Sequence, residues 1–120
     1  MSVFLGLDYG TESVRALLVD DTGATRGTGV ATYEHGQIVR GSVAAGHLFA
    51  ESLPAGYALQ HPADWLGAAA DAVRRAVGGS DPGAVAGIGV DFTSCTVLPA
   101  DADGVPLALS PRHAARRVQS

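Results

Sequence analysis

The stretch Leu5-Gly6-Leu7-Asp8-Tyr9-Gly10-Thr11-Glu12-Ser13-Val14-Arg15 decides how the rest of the chain is read. An apolar run from Val3 to Leu7 ends at the carboxylate of Asp8, a turn carrying Gly10, Thr11 and Ser13 follows, and a second apolar run from Val14 to Val19 ends at Asp20. Two strands, Val3–Asp8 and Val14–Asp20, joined by so short a turn make a hairpin. The turn is polar for its tightness. Gly10 lets backbone approach a ligand with no Cβ in the way, and successive backbone N–H groups in such a turn form an anion-binding nest. Asp8 is placed to hold a hydrated Mg²⁺ and Arg15 to meet a phosphate oxygen. The plain alternative is that an Asp and a Gly at a strand end simply make a turn.

Outward from the hairpin, Asp20-Asp21-Thr22-Gly23 is a second turn signal, and Thr25 to Tyr33 reads as a third strand in which Gly27 and Gly29 weaken the ladder or mark a bulge. The result is a three-stranded antiparallel meander. From Glu34 to Gln60, glycines and Pro54 interrupt every pattern; Ile38–Arg40 and Val43–Ala45 read as short strands within an excursion beside a ligand site or a plain surface loop. A helix then opens with Pro62 at its first position and Asp64 in its first turn, carries Arg74 and Arg75 in its last turn, and stops at Gly78-Gly79. Trp65, Ala69, Ala72, Val73, Ala76 and Val77 form its core-facing stripe, which leaves Asp64, Ala68, Asp71 and Arg75 on the other side and makes Trp65 a core anchor. Val85 to Val90 is the next strand and again ends at a carboxylate. Its Gly89-Val90-Asp91-Phe92 echoes Gly6-Leu7-Asp8-Tyr9, and Thr96-Val97-Leu98 after a polar turn reads as the return strand of a second hairpin. Strands with one intervening helix make an α/β layer, a mixed sheet with antiparallel hairpins and a covering helix.

Composition narrows the function classes. At 120 residues the chain is one domain or part of one. A hydrophobic fraction of 47% excludes a mainly disordered chain, and no run of 18 apolar residues offers a membrane span. A net charge of −4 gives no reason to expect nucleic acid as a partner. Cys95 is the one cysteine, which fits a reducing, cytoplasmic setting; it reads as a small buried hydrophobe. All eight basic residues are Arg, so chemistry based on a lysine of this chain, such as a P-loop or a Schiff base, is excluded.

Asp8, Gly10, Thr11, Ser13 and Arg15 together resemble the first phosphate-binding hairpin of the FGGY carbohydrate kinases, within the sugar kinase, heat-shock ATPase and actin superfamily. The resemblance extends from about Leu5 to Leu109. Besides the hairpin it rests on Tyr57-Ala58-Leu59-Gln60-His61-Pro62-Ala63-Asp64-Trp65 and on Gly87-Ile88-Gly89-Val90-Asp91-Phe92-Thr93-Ser94-Cys95-Thr96, and these two are most similar to the ribulokinase branch of the family. It implies a ribonuclease H-like fold of the actin/hexokinase type, here an incomplete first lobe. It implies phosphoryl transfer from MgATP to the terminal hydroxyl of a ketopentose, ribulose to ribulose 5-phosphate, with ATP and Mg²⁺ as cofactors. Asp8 would place the metal through water. Gly10, Thr11 and Ser13 would line the phosphate path and Arg15 would meet the γ-phosphate. Thr93, Ser94 and Gln60 would face the sugar, although a turn-forming role for the first two and a capping role for Gln60 stay open. Asp91 reads as a strand-end residue or as an acid supporting the site.

The family's general base lies beyond the matched region, so no residue here is assigned that role. After Leu107-Ala108-Leu109 the sequence departs from the family pattern; residues 1–109 read as a partial kinase domain and 110–120 as an aberrant or disordered tail. Three other readings stand beside a ketopentose kinase segment: an inactive sugar- or phosphate-binding fragment, another family member such as a xylulokinase, and an actin-like or heat-shock-type nucleotide-binding piece. The expected partners are a sugar and a nucleotide, without nucleic acid or membrane; the oligomeric state is left open.

Overall fold

The structure is a computed structural model and describes residues 1–41 and 53–111. The strand expected over Val43–Ala45 and most of the tail expected over 110–120 lie outside the described residues. Strands β1 (Val3–Tyr9), β2 (Ser13–Asp20) and β3 (Thr25–Thr32) form the expected meander. Short strands β4 (Ile38–Val39) and β5 (Ala58–Leu59) pair with each other as a separate ribbon, helix α1 covers Pro62–Val77, and β6 spans Val85–Phe92. The main sheet has four strands in the order β3-β2-β1-β6, with β6 parallel to β1. It is the mixed sheet with a covering helix anticipated from the sequence. No helix among the described residues is long and apolar enough to cross a membrane.

The core is the inward-facing set of the meander, Val3, Leu5, Tyr9, Val14, Ala16, Leu18 and Ala31, closed by α1. Alternation along β1 and β2 places these residues on one face of the sheet. The face α1 presents is rotated from the expected one. The buried row is Asp64, Ala68, Ala72 and Ala76 at four-residue spacing, ending in Val77, while Trp65, Ala69 and Val73 are only partly buried at its flank. The reason lies in β3. A Cβ on Gly27 would stand 1.9 Å from the Ala76 carbonyl oxygen, and one on Gly29 would stand 2.1 Å from that of Ala72. The helix touches the strand backbone, and only a row of alanines fits along that line. A stripe chosen by side-chain size therefore points one residue off. Gly27 also borders a bulge, since the β2–β3 register shifts between Leu18 and Val19.

The bulge positions Arg26 over Asp20. The Asp20 carboxylate, buried at the end of β2, accepts the Thr22 hydroxyl, the Thr22 and Ala24 backbone amides and the Arg26 guanidinium at 2.7 Å. These donors, the Thr22 hydroxyl foremost, hold its pKa down to about 2 against an opposing contribution from burial.

The echo between Gly6-Leu7-Asp8-Tyr9 and Gly89-Val90-Asp91-Phe92 does not signal a second hairpin. It is one parallel register: Gly6 lies opposite Gly89, Leu7 opposite Val90, Asp8 opposite Asp91 and Tyr9 opposite Phe92. Tyr9 and Phe92 stack with centroids 4.2 Å apart, and Trp65 meets Phe92 edge-on at 5.6 Å. After Phe92 the chain makes turns, with Cys95 in the left-handed region (φ 63°) and a single bridge between Ala100 and Pro106. The expected strand Thr96–Leu98 is absent, because the left-handed residue and Pro99 prevent a regular return.

Three outcomes follow for stability. Gly29→Ala should lower the unfolding free energy by about 1–3 kcal/mol, because the added Cβ meets the Ala72 backbone and the Arg75 Cβ, neither of which is the far end of a flexible side chain. Gly67→Ala, on the exposed side of α1 with nothing within 4 Å, should raise it by about 0.5–1 kcal/mol. In an acid titration, the folded-state pKa of Asp20 lies below its unfolded value of about 3.9. Its stabilisation is therefore complete above pH ~4 and lost as the pH falls toward about 2. Asp20→Asn should flatten the stability profile in that window.

Candidate functional site

The β1–β2 turn is the meeting point of two clefts. Asp8, Gly10, Thr11, Glu12, Ser13 and Arg15 line one, of about 360 Å³. It gathers all five residues expected to face phosphate. Asp8 and Arg15 are direct cross-strand partners, and Asp8 also lies beside Asp91 across the parallel pair. Asp8, Asp91 and Arg15 line a further cavity of about 630 Å³ on the sheet face opposite α1. Neither Asp8 nor Asp91 forms an ion pair among the described residues. Two adjacent, exposed carboxylates at the ends of parallel strands form a hard-oxygen donor set, which fits a hydrated Mg²⁺. The parallel register places Asp91 next to Asp8. The signal in the sequence was the repeated Gly-x-Asp-aromatic, which reads as a pair only once the strands are known to be parallel.

The second cleft, of about 670 Å³, lies on the other side of the turn. Gln60, Thr93 and Ser94, the three residues expected to face sugar, line it together with Thr11, Trp65 and Thr96. Thr93 and Thr96 share a 2.6 Å hydroxyl contact, and the Thr96 hydroxyl donates to the Thr93 carbonyl at 2.7 Å. These bonds tie the loop after β6 into a fixed shape. Cys95 lines the same cleft and is exposed, in contrast to the buried hydrophobe expected from its type. Cys95 takes the left-handed conformation in this loop. Trp65 serves both as flank of the core and as cleft wall.

Thr11 belongs to both clefts. The turn that carries it is held from behind. Tyr33, buried at the end of β3, donates its hydroxyl to the Gly10 carbonyl at 2.8 Å and its backbone amide to the Glu12 carbonyl at 2.9 Å. The Gln60 side-chain amide donates to the Thr11 carbonyl at 2.8 Å. Burial, followed by the charges of Tyr9, Asp8 and Asp64, raises the Tyr33 pKa, so the phenol keeps its proton and remains a donor. Tyr33 was not singled out from the sequence; an aromatic at a strand end carries no signal of this role.

Asp64 was expected on the solvent side and is 5% exposed. It accepts the His35 backbone amide at 2.9 Å and pairs with His35 Nδ1 at 2.7 Å. The His35 and His61 rings stack at 4.3 Å with planes 12° apart, and His61 Nδ1 accepts the Ala63 amide as the helix cap. Donor atoms of His35, His61 and Asp64 lie within 4.8 Å of one another, a spacing that metal ligands also show. Here both Asp64 oxygens already hold His35, and parallel rings direct their in-plane lone pairs along separate planes. The cluster is a clasp joining the end of the meander to the start of α1.

No protein-family model matches the chain. It is 44% identical over 112 residues to a ribulokinase of Geobacillus thermodenitrificans, covering 89% of this chain and 19% of that protein. It is also 44% identical over 106 residues to a ribulokinase of Mycolicibacterium smegmatis, covering 86% and 18%. Among solved structures, it superposes on a xylulose kinase from Brucella ovis with a TM-score of 0.66 and 25% identity, covering 95% of this chain and 23% of that one. The chain spans about a fifth of the length of the curated relatives it matches. Over most of its length the chain is therefore homologous to the N-terminal part of ribulokinases.

Proposed function

We propose that these residues are the phosphate- and sugar-facing part of the first lobe of a kinase that transfers the γ-phosphoryl group of MgATP to the terminal hydroxyl of ribulose. The observation that carries this is the sharing of Thr11 by two clefts, one lined by the Asp8–Arg15 hairpin and the other by Gln60, Thr93 and Ser94. Phosphoryl transfer requires donor and acceptor in line, with the developing charge neutralised. In this reading Asp8, with Asp91 alongside, holds Mg²⁺ through water. Gly10, Thr11 and Ser13 line the phosphate path, and Arg15 meets the γ-phosphate. Thr93 and Ser94 offer hydroxyls to the sugar in a cleft that Gln60 also lines. The general base comes from outside residues 1–109, which act as part of a longer kinase domain in the cytoplasm; the lone thiol of Cys95 accords with a reducing compartment.

In the longer protein that carries this segment, Asp8→Asn should lower kcat on the order of 100-fold and raise the Mg²⁺ needed for half-maximal rate. Thr93→Val should raise the KM for ribulose about fivefold while leaving that for MgATP within about twofold. Parallel assays with ribulose and xylulose should favour ribulose. Unchanged ribulose KM in Thr93→Val, with an unchanged metal requirement in Asp8→Asn, would sink the assignment. A coupled assay of the 120-residue chain by itself should give no ATP-dependent phosphorylation of ribulose.

A further inference from the structure

We propose that Tyr33 and Gln60 are positioning residues for phosphate transfer, acting through the backbone of the β1–β2 turn. Both reach the turn from elsewhere in the sequence, Tyr33 from the end of β3 and Gln60 from the residue pair before α1. Between them they occupy three successive carbonyls: Tyr33 those of Gly10 and Glu12, Gln60 that of Thr11. In a trans peptide the C=O of one residue and the N–H of the next point in opposite directions. Holding the carbonyls of Gly10, Thr11 and Glu12 against the protein therefore aims the amides of Thr11, Glu12 and Ser13 away from those contacts. No acceptor among the described residues takes the Thr11 or Glu12 amide. A flexible turn beginning with glycine would otherwise lose orientational freedom on meeting an anion; a turn already pinned from behind presents its donors in place.

The inference rests on the reading of this turn as a phosphate path, and it gives Gln60 a task different from a sugar contact. A sugar contact would appear in the sugar KM. A positioning role appears in the interaction with the phosphates.

Gln60→Met keeps the side-chain length and removes the donor to Thr11; Tyr33→Phe keeps the ring and removes the donor to Gly10. In the longer kinase, each should lower kcat/KM for MgATP about fivefold, with the ribulose KM within about twofold. In the 120-residue chain, titration with inorganic triphosphate should shift the Thr11, Glu12 and Ser13 amide resonances, and each variant should weaken that binding by about the same factor. Amide shifts without turnover in the longer protein would overturn the kinase reading and leave the positioning role standing. Overturning results for the positioning role are a ribulose KM raised alone in Gln60→Met, amides that do not respond to triphosphate, or triphosphate binding equal in wild type and both variants. Native-like amide dispersion in the variants separates these results from unfolding.

Discussion

Everything at the site depends on how closely α1 lies on β3. Gly27 and Gly29 leave no side chain between strand and helix, and Ala68, Ala72 and Ala76 form a row small enough to use that space. Contact at this distance leaves the helix little room to slide, since interiors pack at near-crystalline density. The start of α1 is then bound to the end of the meander by Asp64 and His35, and this places Gln60 within reach of Thr11. Two glycines in the third strand thus govern where a glutamine 31 residues after Gly29 delivers its amide.

Much of this was legible in the sequence. The hairpin, the meander, the helix with its proline start and glycine stop, and the strand ending at Asp91 follow from local pattern and turn chemistry, and the structure places them within a residue or two of the expected bounds. Asp8, Gly10, Thr11, Ser13 and Arg15 line one cleft together, and Gln60, Thr93 and Ser94 another, because each group sits on one tight segment or at adjoining segment ends. What was not legible depends on pairing. The helix face is set by the glycines it meets on another element, so side-chain size along α1 alone pointed to Trp65 and away from Asp64. The Gly-x-Asp-aromatic echo was visible, but whether two similar segments start two hairpins or lie side by side is a question of topology. The left-handed backbone of Cys95 is a conformation that its residue type gives no reason to expect.

The parallel register gives the site its division of labour. Because side chains alternate along a strand, Asp8 and Asp91 share one face of the sheet, while Tyr9 and Phe92 share the other and stack beneath Trp65. The carboxylates line the cavity with Arg15 on the face opposite the helix, and the aromatic residues support the side on which Thr93 and Ser94 open into the larger cleft. In the proposed reaction this separates the metal-binding carboxylates from the sugar hydroxyl by the thickness of the strand ends, with the turn as the route between them. Such an arrangement suits a carboxylate pair that neutralises phosphate charge through a metal, and it does not suit one that removes a proton from the acceptor. In the proposed reaction Asp91 would therefore act beside Asp8 and not at the sugar, although it stands only two residues from Thr93 in the sequence.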